Sequence, residues 1–286
     1  MSSLLPELTR IAAFSEGDSG GNPAGVWIGP QLPAAETMQQ MAAEIGFSET
    51  AFAMPLQEGA TDEWRVRYFS PEAEVPFCGH ATIAMTVGLA RRFGAGEYRL
   101  HLNLSTLTVS AQQQDGQWQA TLLSPPCFSQ PEDPVAIEQA LALLGYGPED
   151  LDPRIPVARI HAGADHLVLA LNSRQALAAM QYHLLHGRTL MRQHGWVTLL
   201  LVFAENHQRF HTRNPFAYGG VYEDPATGAA TAALAGYLRD LDWPHQGEIT
   251  IVQGEDMGMR SLISAEIDPV PGDPIRLSGQ ARVMAH

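Results

Sequence analysis

The sequence predicts an α+β protein of two similar lobes, each a sheet rolled around one central helix. Three observations lead there. Look-alike segments stand about half a chain apart, Phe77-Cys78-Gly79-His80-Ala81-Thr82 and Asp224-Pro225-Ala226-Thr227-Gly228-Ala229, each a glycine-containing turn that opens a helix. Neither helical run carries a charged side chain before Arg91 or Arg239, so each must be enclosed by protein on nearly all sides rather than offering one solvated stripe. Strand-like runs outnumber helical ones without alternating with them, which disfavours a doubly wound parallel sheet.

Along the chain, residues 34–45 place Met38, Met41, Ala42 and Ile45 at helical spacing with Glu36, Gln39, Gln40 and Glu44 elsewhere, an amphipathic surface helix. Runs rich in β-branched and aromatic residues at 63–69, 106–112 and 118–123 read as strands. Residues 124–134 hold Pro125, Pro126, Pro131 and Pro134 and mark the boundary between halves. Beyond it, 134–144 and 173–180 read as helices, and 166–171, 197–203, 248–252 and 261–267 as strands. The strand-like tail 275–283 returns to the first half. The domains expected are 1–124, rejoined by 277–286, and 125–276. A helix of roughly eleven residues is about 16 Å long, about what a curved sheet of ordinary strands encloses.

With 286 residues the chain buries a large core, and its length favours two domains. Lys plus Arg number 17 against 31 Asp plus Glu, and the net charge of -14 repels nucleic acid and anionic membranes. A small molecule is the better partner. Cys78 and Cys127 lack CxxC spacing, which argues against a disulfide scaffold or zinc site and fits a reducing cytoplasm. Residues 1–7 do not read as a signal peptide, and nothing approaches the roughly 20 apolar residues of a membrane span. A cytoplasmic location is expected.

A buried helix start leaves backbone N–H groups without intrahelical partners and carries partial positive charge, so it suits a carboxylate. The glycines there could equally serve tight packing. Glu49, in Gly46-Phe47-Ser48-Glu49-Thr50-Ala51-Phe52, precedes apolar residues, where burial would disfavour its charged form and suit it to acid/base exchange near neutrality. A solvated helix-end glutamate is the plainer alternative. His80 lies within the first helix entry, either a neutral catalytic ring or a hydrogen-bonded core histidine. Asp224 before Pro225 fits an N-cap as well as a site residue. Gly20, Gly21 and Gly25 lack the spacing of a nucleotide loop, and the pairs His183/His186 and His207/His211 have no matching acidic or cysteine pattern. No metal site and no nucleotide site are expected.

At these residues the chain resembles the phenazine-biosynthesis-like isomerase family, the PhzF family, which shares its fold with diaminopimelate epimerase. The resemblance runs through Gly21-Asn22-Pro23-Ala24-Gly25-Val26, Ser48-Glu49-Thr50-Ala51-Phe52, Tyr68-Phe69-Ser70-Pro71, Phe77-Cys78-Gly79-His80-Ala81-Thr82 and Gly220-Val221-Tyr222-Glu223-Asp224-Pro225-Ala226-Thr227-Gly228. It implies two β-rolls around central helices, with the site in the cleft between them. It makes Glu49 the proton-shuttling acid/base, His80 and Asp224 its catalytic partners, and Asn22, Gly79, Ala81, Gly228 and Ala229 substrate-binding. Two departures bear on the substrate: Thr227-Gly228-Ala229 stands where the family often has Thr-Gly-Ser, and Met259-Arg260 displaces the arginine expected after Gly258.

The epimerase relatives use one cysteine at each helix entry. Here Cys78 stands at the first and none at the second, which leaves Glu49 as a single base that moves a proton. The resemblance implies a cofactor-independent isomerase of a small carboxylate-bearing metabolite, acting as a homodimer. An amino-acid epimerase pairing Glu49 with Asp224, or a non-catalytic small-acid binding protein, is the alternative.

Overall fold

Two helices almost without solvent contact organise the chain, and their burial dictates the sheets around them. The computed structural model describes residues 8–59 and 61–285. Contacts divide the chain into two compact units, residues 1–123 with 278–286, and residues 124–277.

The first unit runs β1 (Thr9–Ser15), β2 (Asn22–Ile28), α1 (Ala35–Ile45), β3 (Thr50–Pro55), β4 (Glu63–Phe69), β5 (Glu74–Val75), α2 (Gly79–Phe93), β6 (Gly96–His101), β7 (Thr106–Gln114) and β8 (Gln117–Leu123). Every α2 residue from His80 to Ala90 is buried. Strands β1, β2, β3, β4, β6, β7 and β8 neighbour one another in that order, and a late strand, β18 (Arg276–Val283), joins β8 back to β1. Eight strands therefore close around α2. At 15 residues α2 is longer than the eleven anticipated. It approaches the wall closely: a Cβ on Gly88 would lie 2.9 Å from Val26 Cγ1. Helix α1 covers the outside, where Met38, Met41 and Ala42 pack with Trp27, Phe52 and Phe69. Burial of this apolar stripe stabilises the helix far more than its own propensity does.

The second unit runs β9 (Phe128–Pro131), α3 (Pro134–Leu144), β10 (Ala158–His161), β11 (Asp165–Ala170), α4 (Arg174–Ala178), α5 (Leu184–His194), β12 (Thr198–Ala204), β13 (Arg209–Arg213), β14 (Pro215–Phe216), β15 (Val221–Glu223), α6 (Gly228–Asp240), β16 (Glu248–Gln253) and β17 (Ser261–Glu266). Its main sheet has the order β17, β16, β13, β12, β11, β10, β9, with parallel pairs β13–β16 and β11–β12 among antiparallel ones. Helix α6 touches β17 at one side and β10 and β9 at the other, so the sheet curves around it. The alternation of β-strand side chains sorts the two faces. On the outer face Leu167, Leu169, Leu171, Leu199 and Leu201 pack against Ala140, Leu141 and Leu144 of α3, Leu177 of α4 and Met191 of α5.

The two units repeat one supersecondary plan. Helices α1 and α5 both end on left-handed glycines, Gly46 (φ 70) and Gly195 (φ 73), where an L side chain is strained. Each helix feeds a strand that pairs in parallel with the strand before the helix, placing Thr50 beside Gly25 in one unit and Thr198 beside His166 in the other.

His166 is 1 % exposed, and its Nδ1 lies 2.7 Å from Thr198 Oγ1. Burial pushes its pKa down from 6.5 to about 3. Between those values the unfolded chain holds a proton that the folded one does not, so stability falls as pH drops below 6.5, by about 1.4 kcal/mol for each unit. Urea unfolding of the wild type and His166→Asn at neutral pH and about 1.5 units below 6.5 is expected to show roughly 2 kcal/mol more acid loss in the wild type. Equal losses would show that His166 is not the group responsible.

Candidate active site

Helix α2 begins without help from a side chain. Cys78 occupies the N-cap position in extended conformation and makes no side-chain cap hydrogen bond. The first helical bond runs from Thr82 N–H to the Cys78 carbonyl at 3.0 Å, so the N–H groups of Gly79, His80 and Ala81 precede it and face the helix entry. Thr82 is satisfied inside the barrel: its hydroxyl lies 2.7 Å from the Tyr68 hydroxyl and donates to the Cys78 carbonyl at 2.7 Å. Burial in turn holds the Tyr68 phenol well above its ordinary pKa, keeping it neutral.

Three of the residues singled out in the sequence meet at this helix start. Glu49 is the last residue before β3, and its backbone carbonyl accepts the Gly25 N–H from β2 at 3.2 Å. Its carboxylate Oε2 stands 3.4 Å from Nε2 of His80, with the two side chains 16 % and 6 % exposed. Gly79 belongs to the same turn as His80. Two residues that the sequence reading left without a role complete the cluster. Ser48 Oγ lies 3.4 Å from His80 Nε2, and Cys78 Sγ lies 3.3 Å from His80 Nδ1. In the sequence Ser48 was marked only by adjacency to Glu49, and Cys78 by its place at the first helix entry. Ala81 is buried one residue on, and Asn22 is buried at the start of β2.

In the second unit Asp224, Gly228 and Ala229 gather at the start of α6. Asp224 is not its N-cap. That position belongs to Thr227, which makes no side-chain cap bond because its hydroxyl donates to Asp224 Oδ2 at 2.5 Å. The physical reason is Gln253, fully buried: its Nε2 donates to the Asp224 carbonyl at 2.6 Å and to Thr227 Oγ1 at 3.0 Å, and its Oε1 accepts the Thr227 N–H at 3.1 Å. Gly254 follows at φ +72, and a Cβ there would meet the Met259 carbonyl at 2.5 Å and the Pro225 carbonyl at 2.8 Å. The Gln253-Gly254 pair thus holds the Asp224 turn, a role not visible in the sequence. Ala229 is half-buried, and the displaced Arg260 lies 3.7 Å from Glu255.

Beneath Asp224, Glu223 forms a buried pair with Arg213. Arg213 Nε and Nη2 donate to the two carboxylate oxygens at 3.0 and 2.5 Å, and Nη1 donates to the carbonyls of Ala178 and Met180. Such a fork fixes orientation as well as charge.

The chain and its fold have counterparts among known proteins. A family model described as phenazine biosynthesis-like protein, PhzC-PhzF, matches residues 11–286. The chain belongs to this family. A trans-2,3-dihydro-3-hydroxyanthranilate isomerase of Pseudomonas aeruginosa is 31 % identical over 265 residues, covering 90 % of this chain and 89 % of that protein. The PhzF-family protein of Bacillus anthracis has the same fold, with a TM-score of 0.84 at 20 % identity over 97 % of this chain and 96 % of that one. A hydroxyproline epimerase from Agrobacterium vitis shares the fold more distantly, at TM-score 0.64 and 11 % identity over 97 % of this chain and 89 % of its own. With the PhzF family comes a group of isomerases, the class named for its curated relatives. Among the described residues, no helix is long and apolar enough to cross a membrane.

The Arg213–Glu223 pair predicts a stability effect. Arg213→Met is expected to cost about 3 kcal/mol or more in urea unfolding, because it leaves Glu223 buried without its partner. Replacing both, with Glu223→Leu added, should recover much of the loss. A single variant as stable as the wild type would contradict the strut.

Proposed function

We propose that this PhzF-family protein is a cofactor-independent isomerase that moves a proton within a small carboxylate-bearing metabolite, with Glu49 as the proton carrier. The reading rests on one observation, the largely buried Glu49 carboxylate 3.4 Å from His80 Nε2 at the start of a helix that carries no Asp, Glu, Lys or Arg before Arg91. A carboxylate removes a C–H proton next to an electron-withdrawing group, the electron pair shifts along the substrate, and the same group returns the proton to another carbon. Nothing is oxidised or reduced, so the reaction closes without an electron acceptor. General acid/base help of this kind is typically worth about 10² to 10⁴ in rate.

His80 is the partner that orients the Glu49 carboxylate and hydrogen-bonds the substrate. The N–H groups of Gly79 and Ala81 receive a substrate carboxylate, as the partial positive charge of a helix start favours. Asp224, Gly228, Ala229 and Asn22 carry substrate-binding or polarising roles by the family pattern. The substrate class follows the relative that acts on trans-2,3-dihydro-3-hydroxyanthranilate, an acid with a proton to relocate. Ala229 and the Arg260 that pairs with Glu255 change the polar groups offered by the second unit, which favours a different acid of that general kind.

Metabolites that raise the melting temperature identify ligands without knowledge of the reaction, since stabilisation grows with concentration over affinity. Turnover of such a ligand in deuterated water is expected to yield an isomer with deuterium at the newly protonated carbon to the extent that Glu49 exchanges with solvent before it returns the proton. Label at the original carbon with inverted configuration would instead make the enzyme an epimerase. Ligands that bind and never turn over would reduce it to a binding protein.

A further inference from the structure

The far end of helix α2 holds a cavity that proton transfer does not use. Ile28 and Pro30 at the end of β2, Pro55 at the end of β3, Trp64 of β4, and Arg92 and Phe93 in the last turn of α2 line a space of about 300 Å³, the lower bound of small-molecule sites. The 15 residues of α2, about 22 Å of helix, separate it from the turn at Gly79. Its walls are apolar and flat. Trp64 and Phe93 stand with ring centroids 4.9 Å apart at 47°, and Trp64 Nε1 already donates to the Thr61 carbonyl at 3.1 Å, so the indole offers only its apolar body. Phe93 is left 42 % exposed, an aromatic ring that nothing in its own unit covers fully.

The rim is positively charged. Arg91 and Arg92 close α2, and neither forms an ion pair among the described residues. Arg92 Nη1 donates to the Ile28 carbonyl at 2.7 Å, which ties the side chain to the rim and leaves the Nε and Nη2 N–H groups for a ligand. Two full charges exceed the roughly half-charge of opposite sign at a helix C-terminus, so this rim attracts an anion although the whole chain carries a net charge of -14. We propose that the cavity is a second binding site, for a small aromatic monocarboxylate whose ring packs on Trp64, Phe93 and the two prolines while its carboxylate meets Arg92. Ring contacts between aromatic groups gain more than the area they bury, and a guanidinium offers a carboxylate charge-assisted hydrogen bonds. The site goes beyond the isomerase reading and does not rest on it.

The probe is 2-naphthoate, with its neutral counterpart 2-naphthalenemethanol. Calorimetric titration of the intact protein is expected to show 2-naphthoate binding in the roughly millimolar range or tighter, as about a dozen non-hydrogen atoms support. The same titration followed by nuclear magnetic resonance should shift the indole N–H signal that Trp64→Phe removes. Phe93→Ala should weaken binding by about fivefold or more, and Arg92→Gln by about two- to fivefold, the range of an exposed ion pair. Both side chains are exposed, and an unchanged melting temperature without ligand confirms that each variant keeps its fold. The alcohol should bind the wild type more weakly than the acid does, and should bind Arg92→Gln as well as the wild type. No binding of 2-naphthoate by the wild type would overturn the site. So would equal affinity in the wild type, Phe93→Ala and Arg92→Gln, or signal shifts confined to Gly79, His80 and Ala81, which would put the acid at the start of α2 instead. Equal affinity for acid and alcohol would overturn the carboxylate class. No readout involves turnover, so failure here leaves the isomerase reading standing.

Discussion

A helix enclosed on all sides cannot leave its polar ends to water, and that constraint shapes each unit. Within α2, Thr82 and Thr86 satisfy their hydroxyls against carbonyls one turn back, at 2.7 Å each, so the middle of the helix makes no demand on the barrel. The beginning is different. Cys78 supplies no cap, and the N–H groups of the first turn are donors beside Glu49 and His80. An uncapped helix start usually costs a protein about 1 kcal/mol. It recurs at α6, whose Thr227 likewise makes no side-chain cap bond.

The same plan carried twice yields different chemistry in each unit. Thr50 and Thr198 hold equivalent registers in parallel pairs after equivalent glycine-ended helices. The residue before Thr50 is Glu49, whereas the residue before Thr198 is Val197. Across the pair, Gly25 faces Thr50 so closely that a Cβ would sit 2.7 Å from its hydroxyl, while His166 fills the matching place beside Thr198. One unit therefore carries the acid and the other carries a neutral, buried histidine.

Much of this was legible in the sequence because burial writes itself into composition. The absence of charge before Arg91 and Arg239 announced both enclosed helices, and periodicity located α3 and β4 to the residue. Strands β1, β2 and β3 escaped notice because TRIAAFS, NPAGVWI and TAFAMP are rich in small residues buried on both faces, leaving no alternation to read. Helix α5 escaped because Gly187 and a mostly polar stretch, LLHGRTLMRQH, blur its stripe. At the sites, Glu49 and His80 stood out by residue type, while Ser48, Cys78 and Gln253 act through contacts that only tertiary structure creates. Asp224 before Pro225 fits a cap as well as a site residue in the sequence, and the cap alternative fails because the Gln253 brace puts the helix start at Thr227.

Glu49 is the group on which the functional account turns, and Glu49→Gln isolates its proton from its shape. The amide keeps the size and much of the hydrogen bonding toward His80, so a ligand should bind about as before. With a substrate in hand, steady-state kinetics on this variant should show kcat reduced by about 10² to 10⁴ or more with ligand affinity retained. Full turnover in Glu49→Gln would contradict the account and move the proton to another group.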